Sequence, residues 1–144
     1  MYLILKNIHH YVGMATLVFI LLLTVVTFIY YLQERSTSKQ IKKISLFSLI
    51  ITHTQIVLGV ILYFSSPIFQ NISMKDMMGI PQLRQTYVEH PVSMIIAAIF
   101  LTIVNIKIKK SSKITFSTTL MAAISLALVI GMIPKAFWNS FILS

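Results

Sequence analysis

The chain has 144 residues and a mean hydropathy of +0.87, and 57% of its residues are hydrophobic against 10% charged. That balance fits an integral membrane protein and excludes both an ordinary soluble domain and a disordered chain. With no cysteine it is not a disulfide scaffold, a zinc knuckle or an iron–sulfur protein, so any metal chemistry must use histidine.

Four apolar runs approach the roughly 20 residues that a helix needs to cross a hydrocarbon core: Tyr11 to Leu32, Leu46 to Phe64, Pro91 to Ile106 and Ile114 to Ile133. The third is short, and we count its span from about residue 85. Its helix is predicted to begin near Pro81, because Pro suits the first helical position and Gln82 to Glu89 holds no further breaker. Pro91 would then sit inside the helix and kink it. The runs are continuous rather than alternating, which favours helices over a barrel. The first is too long for a signal-peptide core and lacks a small-residue cleavage site, so it reads as a retained span.

The formal net charge of +9 comes from twelve Lys and Arg against only Glu34, Asp76 and Glu89. Eight of those cations fall in two connections, 33–45 (Arg35, Lys39, Lys42, Lys43) and 107–113 (Lys107, Lys109, Lys110, Lys113), while Lys6, Lys75, Arg84 and Lys135 are scattered on the opposite side. This placement follows the positive-inside rule, with anionic headgroup contact as a consequence, and argues against a nucleic-acid partner. The expected architecture is an all-α, integral membrane four-helix bundle in up-down-up-down order. Both termini lie outside, and helices one and three are diagonal partners. The connection from Ser65 to Ile80, with Pro67, Asn71, Asp76 and Gly79, is expected to cap the outer end.

Chemistry has few places to reside. No nucleophile–base pair, Gly-rich phosphate loop or HExxH appears, and none of the three carboxylates pairs with another, so an independent catalyst is not the expectation. The four histidines are His9, His10, His53 and His90. An ionisable residue at membrane depth costs energy and generally persists for a reason. His9 and His10 fall at the outer end of the first apolar run and His90 at the outer end of the third, whereas His53 falls near the midplane. Imidazoles at one level on diagonal helices can close on a metal centre, and without cysteine the centre that suits an apolar slot with two imidazoles is haem. His9 and His90 are the expected axial ligands of a haem b, with His10 the substitute for His9. Gly13, one turn after His9, would let a flat ring approach the backbone.

Each residue also has a plainer reading. His9 or His10 alone is an interfacial residue, and Glu89-His90 alone is a solvated helix start. His53 is open between a structural contact to a carbonyl, a proton relay and a second ligand site. Gln55 is some 200° around the helix from His53, so one of the two faces another helix or another subunit. Thr52, Gln55 and Gly59 share a small-and-polar stripe suited to close packing. Arg84 is a candidate partner for haem propionates or an interfacial anchor, and Glu89 is expected to support the ligand site. Tyr63, Tyr87 and Trp138 read as an aromatic belt, and the methionines as packing filler.

The stretch Thr52-His53-Thr54-Gln55-Ile56-Val57-Leu58-Gly59 leading to Leu62-Tyr63-Phe64, with Arg84 and then Val88-Glu89-His90-Pro91, resembles a family of small four-span bacterial membrane proteins commonly labelled cytochrome b. The likeness runs from about Ile8 to Pro134. It implies a His at the start of span one, a His-x-Gln in span two and Glu-His-Pro opening span three, which fall here on His9, His53, Gln55, Glu89, His90 and Pro91. The family often carries a basic residue four after the first His, where this chain has Gly13. More remotely, His9 to Gly13, Gln55 to Gly59 and His90 are similar to half of a haem A synthase. With only half of that architecture present, the synthase reaction itself is not implied.

The expected function is therefore that of a small b-type haem protein in the bacterial inner membrane. It would pass electrons within a respiratory or quinone-linked complex, with other membrane subunits or a second copy as partners. The alternative is a haem-free accessory or assembly subunit of a larger complex.

Overall fold

A run of apolar residues in lipid must satisfy its backbone polar groups internally, which a helix does. The computed structural model, which describes residues 1–133, is built from helices: α1 Tyr2–Leu32, α2 Lys39–Phe64, α3 Met74–Gly79, α4 Pro81–Arg84, α5 His90–Lys110 and α6 Phe116–Gly131. Among the described residues there is no strand, only an isolated bridge between Ser36 and Lys113. Lys135 and Trp138, placed by sequence at the outer boundary, lie outside the described residues, as does the C-terminus.

Three helical stretches, Tyr2–Leu32, Lys39–Phe69 and Pro81–Lys110, are long and apolar enough to cross a membrane. The fourth is shorter than expected: α6 has 16 residues, about 24 Å at 1.5 Å per residue. The other long helices outrun their apolar segments. α1 begins at Tyr2 rather than Tyr11, α2 begins at Lys39 and α5 continues through Lys110, so the connections of 33–45 and 107–113 shrink to 33–38 and 111–115. An apolar run marks what lipid covers, whereas the hydrogen-bonded ladder continues through Lys, a good helix former, until a cap stops it. Ser38 supplies that cap for α2, its side chain accepting from the Ile41 N–H.

The long helices form a ring in which α1 packs on α2 and α6, and α5 packs on the same two. α1 and α5 therefore stand diagonally. The Thr37 N–H donates to the Ser112 carbonyl at 2.8 Å and the Thr37 hydroxyl to the Ser111 carbonyl at 2.8 Å, which ties the two basic connections together at one end of the bundle.

The sides of the helices are inverted relative to a water-soluble bundle. Val18, Val25, Phe28, Phe47, Ile50 and Ile99 are exposed, while Thr27, Ser45, Ser48, Asn105 and Ser125 are buried. Small polar side chains let helices approach and hydrogen-bond across the gap. Asn105 donates to the Ser45 hydroxyl at 2.9 Å, the Ser48 hydroxyl to the Phe19 carbonyl at 3.1 Å and the Thr24 hydroxyl to the Ala122 carbonyl at 3.2 Å. Between these contacts Ile20, Leu23, Leu101, Val104, Ile108 and Ala122 fill the core.

The helix preceding Pro91 begins at Pro81, as expected from sequence, but it is not a simple kinked helix. Between α4 and α5 the residues Gln85–Glu89 form a π turn, closed by the His90 N–H donating to the Gln85 carbonyl. Proline lacks an N–H and its ring crowds the carbonyl four residues earlier, and the wider turn relieves that conflict just upstream.

Candidate functional site

At the end of the bundle opposite the basic connections, α1 and α5 bring His9 and His90 together across the ring. Their ring centroids are 6.4 Å apart with planes at 80°. His9 is half-buried while its neighbour His10 is exposed, its ring 5.8 Å from that of Tyr11. The two neighbours on α1 are thus separated by orientation, and the one facing inward is His9.

His90 is held through its other side. Its Nδ1 lies 2.9 Å from the Met132 carbonyl just past α6. A carbonyl only accepts, so Nδ1 carries the proton and donates, leaving Nε2 with the lone pair. His9 has no such partner: its Nδ1 is buried and without a hydrogen bond among the described residues.

α2 comes very close to His9. An added Cβ on Gly59 would meet His9 Cε1 at 3.1 Å, so the absence of a side chain there lets the imidazole lie against the helix. One turn earlier, the Gln55 Nε2 donates to the His9 carbonyl at 2.8 Å, and its Oε1 is a second buried atom without a hydrogen bond among the described residues. Gly13 makes room for this amide, since a Cβ there would stand 2.8 Å from Gln55 Nε2. The expectation that Gly13 admits a flat ring is corrected: the space beside it belongs to Gln55.

The outer residues form a separate layer. Arg84 Nε donates to Glu89 Oε1 at 2.8 Å, with both side chains about two-fifths exposed. Residues five apart do not meet on a regular α-helix, and the π turn between them brings this pair into register. Glu89 thus holds Arg84, while the hydrogen-bond partner of His90 is the Met132 carbonyl. Tyr63, Phe69 and Tyr87 cluster ring on ring, and the Tyr87 hydroxyl lies 3.0 Å from that of Ser66. These contacts pin the 65–80 connection to α2 and the π turn, and the buried Met77 anchors α3.

His53 stands apart. It is exposed near the middle of α2, its Nδ1 2.9 Å from the Leu49 carbonyl, and it lines an open groove of about 500 Å³ with Leu49, Ile50, Thr54, Val57 and Thr102. Gln55 faces inward and His53 outward, as their angular separation requires.

Sequence reasoning had no route to the Met132 carbonyl, because a backbone group at a helix end carries no residue signature. The contact of Gln55 with α1 had a faint signal in the stripe it shares with Gly59. Among the described residues no group of three or more His, Cys, Asp or Glu converges; the histidine pair stands alone. No protein-family model matches the chain, and neither a curated protein nor a solved structure matches it.

Proposed function

We propose that the His9–His90 pair holds a b-type haem near one face of a membrane bundle, and that the protein serves electron transfer in an inner-membrane respiratory or quinone-linked complex. The observation that supports this is the facing of the two imidazoles from diagonal helices at 6.4 Å. Two imidazoles that each bind one metal through a nitrogen at about 2 Å have ring centres roughly 6 Å apart. A site with only two protein donors suits a metal whose remaining positions are filled by its own macrocycle.

The other contacts fit that donor set. The Met132 carbonyl fixes the His90 tautomer with Nε2 available. The Nδ1 of His9 is buried and without a hydrogen bond among the described residues, which leaves that imidazole a ring nitrogen to offer. Gln55 holds the α1 backbone at the level of His9, and Arg84 has N–H donors beyond the one given to Glu89, which suits it to a propionate. A haem held by His9 and His90 would supply one-electron transfer there. The basic end is assigned to the cytoplasm and the His pair to the outer side.

The test is an optical spectrum of the detergent-purified protein, oxidised and dithionite-reduced, with a pyridine haemochrome assay. About one haem per chain with a sharp reduced α-band is expected, as low-spin His/His ligation gives. His90→Ala should lose that haem while still inserting, and His53→Leu should keep it. Full haem retention in His90→Ala would overturn the assignment. A second reading, a haem-free subunit of a larger complex, draws on the outward-facing His53 with Thr54 and Thr102 in its groove. It predicts a colourless protein that stays so when haem is supplied.

A further inference from the structure

At the basic end, most of the positive charge has no ion-pair partner among the described residues. Of the three carboxylates only Glu34 lies at this end, where it takes Lys113 at 3.4 Å, while Asp76 accepts from the Ser73 hydroxyl at 2.6 Å and Glu89 pairs with Arg84 at the other end. Arg35, Lys39, Lys42, Lys43, Lys107, Lys109 and Lys110 therefore have no ion-pair partner among the described residues. Lys107, Lys109 and Lys110 occupy the last turn of α5, where the helix dipole favours them, but Lys39, Lys42 and Lys43 open α2, where it does not. An anion from outside the chain would favour that arrangement.

The structure offers one such anion a shaped place. Between α1 and α2 at this end lies a groove of about 290 Å³, whose lining includes Arg35, Gln40, Tyr30, Val26, Ile29 and Ile44. Its polar and apolar parts are separated in depth. Arg35 and Gln40 stand at the bundle end, the Arg35 guanidinium 5.9 Å from the centre of the Tyr30 ring, while Val26 lies six residues before the end of α1 at Leu32, about 9 Å along the helix. The Tyr30 hydroxyl is held by the Ser38 cap at 2.8 Å, so the ring beneath Arg35 is fixed.

We infer that this groove binds an anionic phospholipid, with the phosphate at Arg35 and Gln40 and one acyl chain along Val26, Ile29 and Ile44. A planar guanidinium suits a phosphate oxygen pair. The aliphatic floor offers no partner to a peptide backbone and suits a chain without polar groups. The site does not depend on haem and is read on the apoprotein.

Purified protein is titrated with phosphatidylglycerol and with phosphatidylcholine of the same acyl chains, and retained lipid is counted by native mass spectrometry beside the thermal midpoint. Phosphatidylglycerol should be retained about tenfold better, and Arg35→Ala and Ile29→Trp should each remove about that factor. Ile29→Trp fills the groove without changing charge. Lys110→Ala removes one charge from the same end outside the groove and should retain the lipid as the parent does. Equal retention of the two lipids, or an equal loss in Lys110→Ala, would reduce the effect to diffuse attraction and overturn the site. So would a thermal shift of the same size from inorganic phosphate alone. If Arg35→Ala loses its helical circular dichroism, Gln40→Ala at an exposed helix position takes its place.

Discussion

Gly13 and Gln55 occupy one small volume from adjacent helices, and neither can change without the other responding. A methyl on Gly13 would stand 2.8 Å from Gln55 Nε2, displacing the amide from the His9 carbonyl at a cost of about 1–2 kcal/mol. Gln55→Ala should cost a similar amount by losing the same bond. The double variant should cost less than the sum by about 1 kcal/mol, because the new methyl occupies part of the space vacated by the amide. Denaturation of the four proteins in one detergent measures this. Additivity to within about 0.5 kcal/mol would mean that the two residues do not share the site. The sequence placed both residues on their helices and put Gln55 on a packing stripe. It did not reveal that Gly13 serves Gln55, because a missing side chain makes room without naming the group that uses it.

Helix ends and breaks carry the next level. α1 closes with the Arg35 N–H donating to the Tyr30 carbonyl at 3.0 Å and the Glu34 N–H to that of Tyr31 at 3.2 Å, the paired bonds of a Schellman cap. That cap places Glu34 at φ 48°, a left-handed conformation that favours glycine. Glu34→Gly should therefore stabilise by about 1 kcal/mol even though it gives up the exposed bond to Lys113, since such surface pairs are worth little. A thermal midpoint raised by roughly 3 °C is the expected reading, and a fall of that size would mean the Lys113 bond outweighs the backbone strain. The break before Pro91 was legible in kind, because proline cannot continue the ladder. Its form was not, since a π turn and a kink satisfy the same local conflict and differ only in how the flanking residues are rotated. That rotation brings Arg84 to Glu89.

Over the whole molecule, the exposed apolar sides and buried serines and threonines fit a bundle surrounded by lipid. The positive-inside rule then predicts its orientation from the charge distribution. The absence of native cysteine allows single introduced cysteines to report it. In intact cells, Leu3→Cys and Ser73→Cys should react with an impermeant maleimide, whereas Lys110→Cys should react only after lysis. The reverse pattern would put the basic end outside and undo the assigned placement of the His pair.

Composition and the continuous apolar runs determined that the chain is helical and apolar enough for a membrane, because backbone polar groups in lipid have few other ways to be satisfied. The spacing of cations marked the connections for the same kind of reason: charge is costly at depth wherever the chain folds. What lies across the bundle from what was decided only by the tertiary structure. His9 rather than His10 turns inward, the Met132 carbonyl accepts from the His90 Nδ1–H, and Gln55 reaches the α1 backbone beside Gly13. Each depends on how helices rotate about their own axes when packed in a ring. Interhelical contacts such as Asn105 to Ser45 and Thr24 to Ala122 fix that rotation together.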